Sequence, residues 1–298
     1  MKKTLLLVLT LILCCPIGAQ GVEERCERHT MKFRGLEREY WLYRPADLPA
    51  GAPLVLVLHG YGGSALKGKT AMMDVADANG FAVCYPQGVK DPKGKTGWNV
   101  GYPSQEGMKT DDVAFVCALA RRLQRDYSFS KSDTFLSGMS NGGEMCYLTA
   151  MRRPRAFKAY ASIAGLTLRW MTEAYSYKHP VAFMEVHGTE DRTSEWLGDP
   201  ANKGGWGAYL PVPVAVGRIV SLNGCTEETV TELPRREGRN PVTLYQFRGG
   251  APAMKGGLPT QVWLYEVRGG NHSWSDKDMD TCAEIWRFFS QYLDRSGN

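Results

Sequence analysis

Two short, almost wholly apolar runs set the pattern of this chain: Pro53-Leu-Val-Leu-Val-Leu58 and Phe81-Ala-Val-Cys-Tyr85. The first lies between Gly51 and Gly60, and the second stops at Pro86. A run of that length without polar alternation suits a strand buried on both faces, as in a parallel sheet. Glu39-Tyr-Trp-Leu-Tyr-Arg44, ended by Pro45, predicts another strand, and Asp133-Thr-Phe-Leu-Ser137 a further one. Strands are also expected at about residues 159–163, 181–187, 242–247 and 261–267. Between them the period lengthens. From Asp111 to Tyr127, Val113, Val116, Ala120 and Leu123 recur at helical spacing behind an acidic start, which favours the positive end of a helix. Asn141 to Arg152 predicts the next helix. The last is expected from about Met279 to Leu293, with Ile285, Phe288, Phe289 and Tyr292 on one face.

Strands alternating with helices imply an α/β fold, a mostly parallel central sheet covered by helices on both faces. The stretch 193–212, rich in Gly, Pro and Trp, fits no regular element. It is expected to form an excursion over one end of the sheet. No linker divides the chain.

The amino terminus follows other rules. Lys2 and Lys3 precede an apolar run from Leu5 to Cys15, and Pro16-Ile-Gly-Ala19 supplies small residues behind it. That order predicts a secretory signal peptide over residues 1–19, leaving 20–298 as one catalytic domain and placing the protein in the periplasm or outside the cell. The apolar run is too short to span a bilayer, which needs about 20 residues. The net charge of +5 falls to +3 without Lys2 and Lys3. A balance so mild and scattered argues against a nucleic-acid partner, and no membrane partner is expected. Cysteines 26, 84, 117, 146, 225 and 282 remain. Export permits disulfides, but no CxxC pair suggests a metal. If one bridge forms, Cys225 with Cys282 is the expected pair.

Chemistry concentrates in three loops. Gly138-Met-Ser140-Asn-Gly142-Gly143 stands between a predicted strand and a predicted helix. Glycines there let the chain reverse sharply and lift Ser140 above the sheet as a nucleophile. Of the five histidines, only His272 falls in a loop after the last strand, within Arg268-Gly-Gly-Asn-His272-Ser-Trp274. The order nucleophile, acid, base of the α/β-hydrolase type makes it the expected general base. The acid is expected in Val186-His-Gly-Thr-Glu190-Asp191-Arg192, with Asp191 preferred and Glu190 as the substitute. His187 is expected to hydrogen-bond locally. Two backbone N–H groups are needed for the oxyanion: Asn141, directly after the nucleophile, and Tyr61, in His59-Gly60-Tyr61-Gly62-Gly63. His59 is expected to brace that loop. Trp98, Trp206 and Trp274 stand near the expected mouth, where flat rings suit sugars and phenolic acids.

These segments resemble the exported esterases grouped with polyhydroxybutyrate depolymerases, feruloyl esterases and acetylxylan esterases of carbohydrate esterase family 1. The similar stretches run from Arg38-Glu-Tyr-Trp through Gly97-Trp98-Asn99, Asp111-Asp112-Val113 and Gly138–Gly143 to His187–Asp191, Gly269–Trp274 and Ile285–Phe289. The resemblance implies an α/β-hydrolase fold with Ser140, Asp191 and His272 as the triad, without metal or organic cofactor. Its expected partner is an esterified plant polysaccharide or oligosaccharide, feruloylated arabinoxylan first, acetylated xylan second and a short-chain polyester third. A serine peptidase shares the motif and the triad order but usually carries an additional domain or a group for the peptide's amino terminus. An inert hydrolase fold that only binds carbohydrate is disfavoured by the complete set of catalytic parts. Residues 102–107 and 193–210, the latter with Trp196, Trp206 and Tyr209, depart from the family pattern, and both are expected to border the acyl pocket.

Overall fold

The computed structural model describes residues 21–254 and 257–294; the expected signal peptide lies outside the described residues. A short helix α1 (Val22–Arg25) leads into an antiparallel pair, β1 (Glu27–Phe33) and β2 (Leu36–Tyr43). There follow β3 (Leu54–Leu58), α2 (Ala71–Asn79), β4 (Ala82–Pro86) and the small hairpin β5 (Val89–Lys90) and β6 (Thr96–Gly97). Next come α3 (Asp112–Asp126), β7 (Thr134–Met139), α4 (Asn141–Arg152), β8 (Ala159–Ile163), α5 (Arg169–Ala174) and β9 (Ala182–Gly188). The chain continues through α6 (Val212–Asn223), the antiparallel strands β10 (Glu227–Glu232) and β11 (Val242–Arg248), then β12 (Val262–Val267) and α7 (Thr281–Phe289).

Ten strands form one sheet in the order β1-β2-β4-β3-β7-β8-β9-β12-β11-β10. The six inner strands, β4-β3-β7-β8-β9-β12, run parallel to one another, and antiparallel strands finish both edges. Every residue of β3, β4, β8 and β9 is buried, as the unbroken apolar runs require. Helices α3 to α6 pack on one face of the sheet, while α1, α2 and α7 pack on the other.

The expected strands all form, within two residues of their predicted ends except that β2 begins three residues earlier, at Leu36. The expected helices form too, although the last is helical only over Thr281–Phe289, with a tighter turn to Tyr292. Cys225 and Cys282 do not pair, and all six described cysteines are free. Cys225 follows α6 on one face of the sheet and Cys282 lies in α7 on the other, so the sheet itself stands between them.

One ion pair ties the early strands to the helical layer. Arg38 on β2 meets Asp112, the first residue of α3, at 2.8 Å, with both side chains excluded from water. The guanidinium also lies 3.7 Å from the centre of the Phe115 ring. Asp112 accepts the Asn99 backbone N–H at 2.8 Å, which anchors the segment leading to the site. Removing one member leaves the other charge buried without its partner, which costs about 3–5 kcal/mol. Arg38→Met is therefore expected to lower unfolding stability by about 3 kcal/mol or more, read as a fall in the urea midpoint at unchanged slope. A midpoint within error of the wild type would show the pair to be dispensable.

Candidate active site

The turn that carries Ser140, the candidate nucleophile, begins with close packing. β7 runs parallel between β3 and β8, and α4 starts at Asn141, so the chain must reverse at Ser140. It does so with φ 56° and ψ −122°, a region sparsely populated by residues with a side chain. The Ser140 N–H donates to Ile163 of β8 at 2.7 Å, and its carbonyl accepts from Glu144 at 2.9 Å, which holds the strain in place. Side chains at the neighbouring glycines would collide: a Cβ on Gly138 would sit 2.4 Å from the Gly142 oxygen, and one on Gly142 would sit 2.5 Å from the Leu58 oxygen. The sequence needs its glycines here because strand, turn and helix touch backbone to backbone.

The loops that carry Asp191 and His272 are laced together. At the end of β9, a Cβ on Gly188 would fall 2.2 Å from the Gly270 oxygen, so the two loops touch. Glu190 N–H donates to Gly270 at 2.9 Å, and Gly269 N–H donates to Thr189 Oγ1 at 2.9 Å. Across this seam His272 Nδ1 lies 2.7 Å from Asp191 Oδ2. The other Asp191 oxygen accepts the backbone N–H groups of Thr193 and Ser194, each at 2.8 Å. Burial alone would raise the Asp191 carboxyl, but the His272 N–H, the positive charge that ring can carry and the Ser194 amide hold it below its ordinary range. An ionised Asp191 accepts a hydrogen bond from Nδ1–H and leaves the lone pair of His272 on Nε2. Glu190 is exposed. The structure thus brings Asp191, not Glu190, to the imidazole. No hydrogen bond joins Ser140 to His272 among the described residues, and such contacts commonly tighten only with substrate in place.

The loop after β3 comes close to Ser140: a Cβ on Gly60 would lie 3.3 Å from Ser140 Cβ. Neither the Tyr61 nor the Asn141 backbone N–H has a protein acceptor among the described residues. The loop is held by several partners. The Tyr61 hydroxyl donates to Asp91, Gly62 N–H donates to Thr96 at 2.7 Å, and both partners lie on the β5–β6 hairpin or its turn. His59 accepts the Gly88 N–H on Nε2 at 2.9 Å, so its hydrogen sits on Nδ1 and points to the Gly60 carbonyl 2.8 Å away. Burial keeps this ring below its ordinary value, and its work is to brace the loop.

The three tryptophans part company. Trp98 is fully buried and cannot face a ligand, contrary to expectation. Its indole N–H donates to the His59 carbonyl at 2.8 Å, while its backbone N–H and carbonyl are both held by the Asn141 side chain, at 2.7 and 3.1 Å. It is a strut between the two loops that carry the candidate oxyanion donors. Trp206 is half-buried, its ring edge-on to Tyr61 at 5.5 Å and tilted against Tyr102 at 5.2 Å. Trp274, also half-buried, packs on the α2/α7 face with Lys69 over its ring and is not brought to Trp206.

Several site residues carry no recognisable sequence motif. Gln105 accepts three successive backbone N–H groups, from Val100, Gly101 and Tyr102, at 3.0–3.1 Å, and donates to the Trp98 carbonyl at 2.7 Å. It folds the 98–105 segment, yet a lone glutamine announces nothing. Glu144, on the helix behind the nucleophile, is equally silent. Among the described residues, no group of three or more His, Cys, Asp or Glu side chains is placed to hold a metal ion.

A parallel sheet with a serine on a strained strand–helix turn, and an aspartate–histidine pair on the loops after β9 and β12, defines the α/β-hydrolase fold. Solved structures agree: the acetyl xylan esterase of Aspergillus awamori superposes with a TM-score of 0.60 over 89% of this chain and 99% of that one, at 13% identity. The chain belongs to the Esterase PHB depolymerase family, whose model matches residues 39–194, and with it to the carboxylic-ester hydrolases. It is 27% identical over 263 residues to the bifunctional acetylxylan esterase/xylanase XynS20E of Neocallimastix patriciarum, covering 87% of this chain and 34% of that protein. The chain therefore spans about a third of that relative's length. It is 25% identical over 289 residues to a probable feruloyl esterase C of Aspergillus flavus, covering 89% and 98% of the two chains.

Glu144 makes a pH test of this region. Its carboxyl is wholly buried, one oxygen without a hydrogen-bond partner, and burial pushes it up to about 8 against the pull of Tyr102 and Asn141. An acid raised on folding keeps its proton in the native state while the unfolded chain has lost it. Stability therefore falls as pH rises from the unfolded value of about 4.3 to about 8, and is level above that. Glu144→Gln removes this slope. Its melting temperature should match the wild type near pH 5 and exceed it by several degrees near pH 9. A gap that fails to widen with pH would mean the carboxyl is ionised in the fold.

Proposed function

We propose that this chain hydrolyses carboxylic esters through an acyl-enzyme, with feruloyl esters of plant arabinoxylan as the first substrate class, acetyl esters of xylan second and, as the alternative outside the plant cell wall, a short-chain polyester third. Ser140 is the nucleophile, His272 the base and Asp191 the acid that orients it. The 2.7 Å contact between His272 Nδ1 and Asp191 Oδ2 carries the reading, because it turns the free nitrogen of the ring into the proton acceptor. As Ser140 Oγ attacks the ester carbonyl, its proton passes to His272 Nε2. The Tyr61 and Asn141 amides receive the oxyanion. Collapse expels the alcohol, which takes the proton back from His272, and a water activated in the same way releases the acid and restores Ser140.

The choice of acyl group rests on Trp206. Its half-buried ring leans on Tyr61, the residue whose amide is assigned to the oxyanion, so a phenolic acyl group held there has an aromatic wall beside it. The feruloyl and acetylxylan esterase names of the relatives support the same class. Export fits a polymeric substrate: residues 1–19 are proposed as a signal peptide, the rest as one catalytic domain, and the site of action as periplasmic or extracellular. Among the described residues no helix is long and apolar enough to cross a membrane.

Ser140→Ala should fold and lose ester hydrolysis by a factor on the order of 10⁴ or more. Asp191→Asn should cost on the order of 10⁴ in turnover by leaving His272 in the wrong tautomer, whereas exposed Glu190→Gln should cost little. Retention of a tenth of the activity by Ser140→Ala, or the reverse ranking of the two acids, would reassign the roles. Trp206→Ala should raise KM for methyl ferulate about five-fold, the loss of one aromatic contact of about 1 kcal/mol, and leave KM for p-nitrophenyl acetate nearly unchanged. Equal effects on both esters would assign Trp206 to packing alone.

A further inference from the structure

Glu185 and His187 are two residues apart on β9, so both side chains leave the same face of the sheet. Both are fully buried. His187 Nδ1 lies 2.8 Å from Glu185 Oε1, and Nε2 lies 2.7 Å from the Ser194 carbonyl oxygen. A carbonyl only accepts, so Nε2 carries a hydrogen. One further proton is then shared across the Nδ1–Oε1 contact: imidazolium beside carboxylate, or imidazole beside carboxylic acid. The surroundings favour the first. Nε2 also stands 3.7 Å from Asp191 Oδ2, so the ring has three acceptors around it, two of them carboxylates. Although burial opposes charge, Glu185, the Ser194 carbonyl and Asp191 raise His187 above its ordinary value.

The same ring locks the acid loop. His187 Nε2 donates to the Ser194 carbonyl, and the Ser194 and Thr193 amides donate to Asp191 Oδ1. Oδ2 is thereby turned to His272. The other groups around the pair are few. Tyr147 and Cys146 face Glu185 from α4, and Ser162 does so from β8. Glu266 on β12 is the strand partner of His187 and is bonded to Tyr245 of β11. Trp196 lies edge-on to the imidazole at 6.0 Å.

We propose that His187 is a positioning residue for the Asp191–His272 pair: held as an imidazolium between Glu185 and Ser194, it aims Asp191 at His272 and sets the pH at which hydrolysis begins. This rests on the triad reading above. A cation beside Asp191 offsets part of the negative charge that draws a proton onto His272. Without it, Asp191 faces His272 with its charge undiminished, and the onset of hydrolysis moves to higher pH.

The test is Glu185→Gln in the full chain, which keeps the volume and a hydrogen-bonding group but deprives His187 of its counter-ion. The acidic limb of kcat/KM for p-nitrophenyl acetate, which reports the free enzyme's base, should move to higher pH by about half a unit or more. A merely structural role would lower the melting temperature and leave the limb in place, and an unmoved limb in a folded variant overturns the proposal. Should that variant fail to fold, the ¹⁵N spectrum of histidine-labelled wild-type protein decides. His187 should show two protonated ring nitrogens throughout roughly pH 5–9; a single one overturns the proposal. Those signals do not depend on the triad reading, whose own failure would appear as activity in Ser140→Ala.

Discussion

The strained turn at Ser140 is the constraint on which the rest of the site depends. A serine held at φ 56° costs on the order of 1–3 kcal/mol, and it persists only because backbone from three directions leaves no alternative. Gly142 rests on the last residue of β3 and Gly138 rests on Gly142, both closer than any side chain would permit. The loop after β3 and the start of α4 consequently arrive at the same place. The two amides assigned to the oxyanion need no separate device to converge; they inherit their proximity from the turn. Trp98 then fastens the arrangement, with its indole on His59 and its backbone on Asn141. A buried tryptophan is well suited to that work, since its bulk fills the gap and its single donor is satisfied.

Three histidines near the strand ends show how partners decide function. His59 accepts a backbone N–H on one nitrogen and faces a carbonyl with the other, and burial keeps it neutral. His187 faces acceptors with both nitrogens. His272 alone gives one nitrogen to a carboxylate and leaves the other without a bond among the described residues. Only the last pattern suits a base, because a base needs a free lone pair and an orienter on the opposite side of the ring.

Much of this was legible in the sequence, and the reasons are local. The parallel strands are buried on both faces, so they announce themselves as unbroken apolar runs. The nucleophile turn announces itself through glycines that close contact demands. What stayed hidden lacked such signatures. Strand β10, Glu-Glu-Thr-Val-Thr-Glu, is exposed along its whole length and forms only because β11 offers an edge. Helix α6 contains Pro213, Gly217 and four valines, a poor helix by propensity, kept helical by burying Val212, Val216 and Ile219 against the sheet. Gln105 and Asp91 act by gathering backbone N–H groups, and nothing in a linear pattern marks which amides will come within reach. Trp98 was misread for the same reason. Proximity to the site was evident from its motif, but whether a ring points outward or inward depends on the hydrogen bonds of residues 43 positions away.

The excursion at 193–210 illustrates where such a scaffold leaves room for change. It has no helix or strand, yet it is not loose. Asp199 accepts the Gly204 N–H, Asn202 accepts the Gly207 N–H, and Tyr209 pairs with both Asp199 and Leu168 while its hydroxyl accepts the Glu195 N–H. Most of these bonds lie within the loop, and its returning end is tied to the segment after β8 at Thr167, Leu168 and Arg169. The sheet contributes little to its shape, so residues at its tip can vary without disturbing the strands that hold Ser140, Asp191 and His272. Its start is different: Thr193 and Ser194 bind Asp191, and Ser194 is gripped by His187. The loop thus has a fixed root serving the acid and a self-contained tip carrying Trp206 to Tyr61. The roles proposed for Asp191 and Trp206 thus fall on one segment, whose hydrogen bonds keep its root and its tip apart.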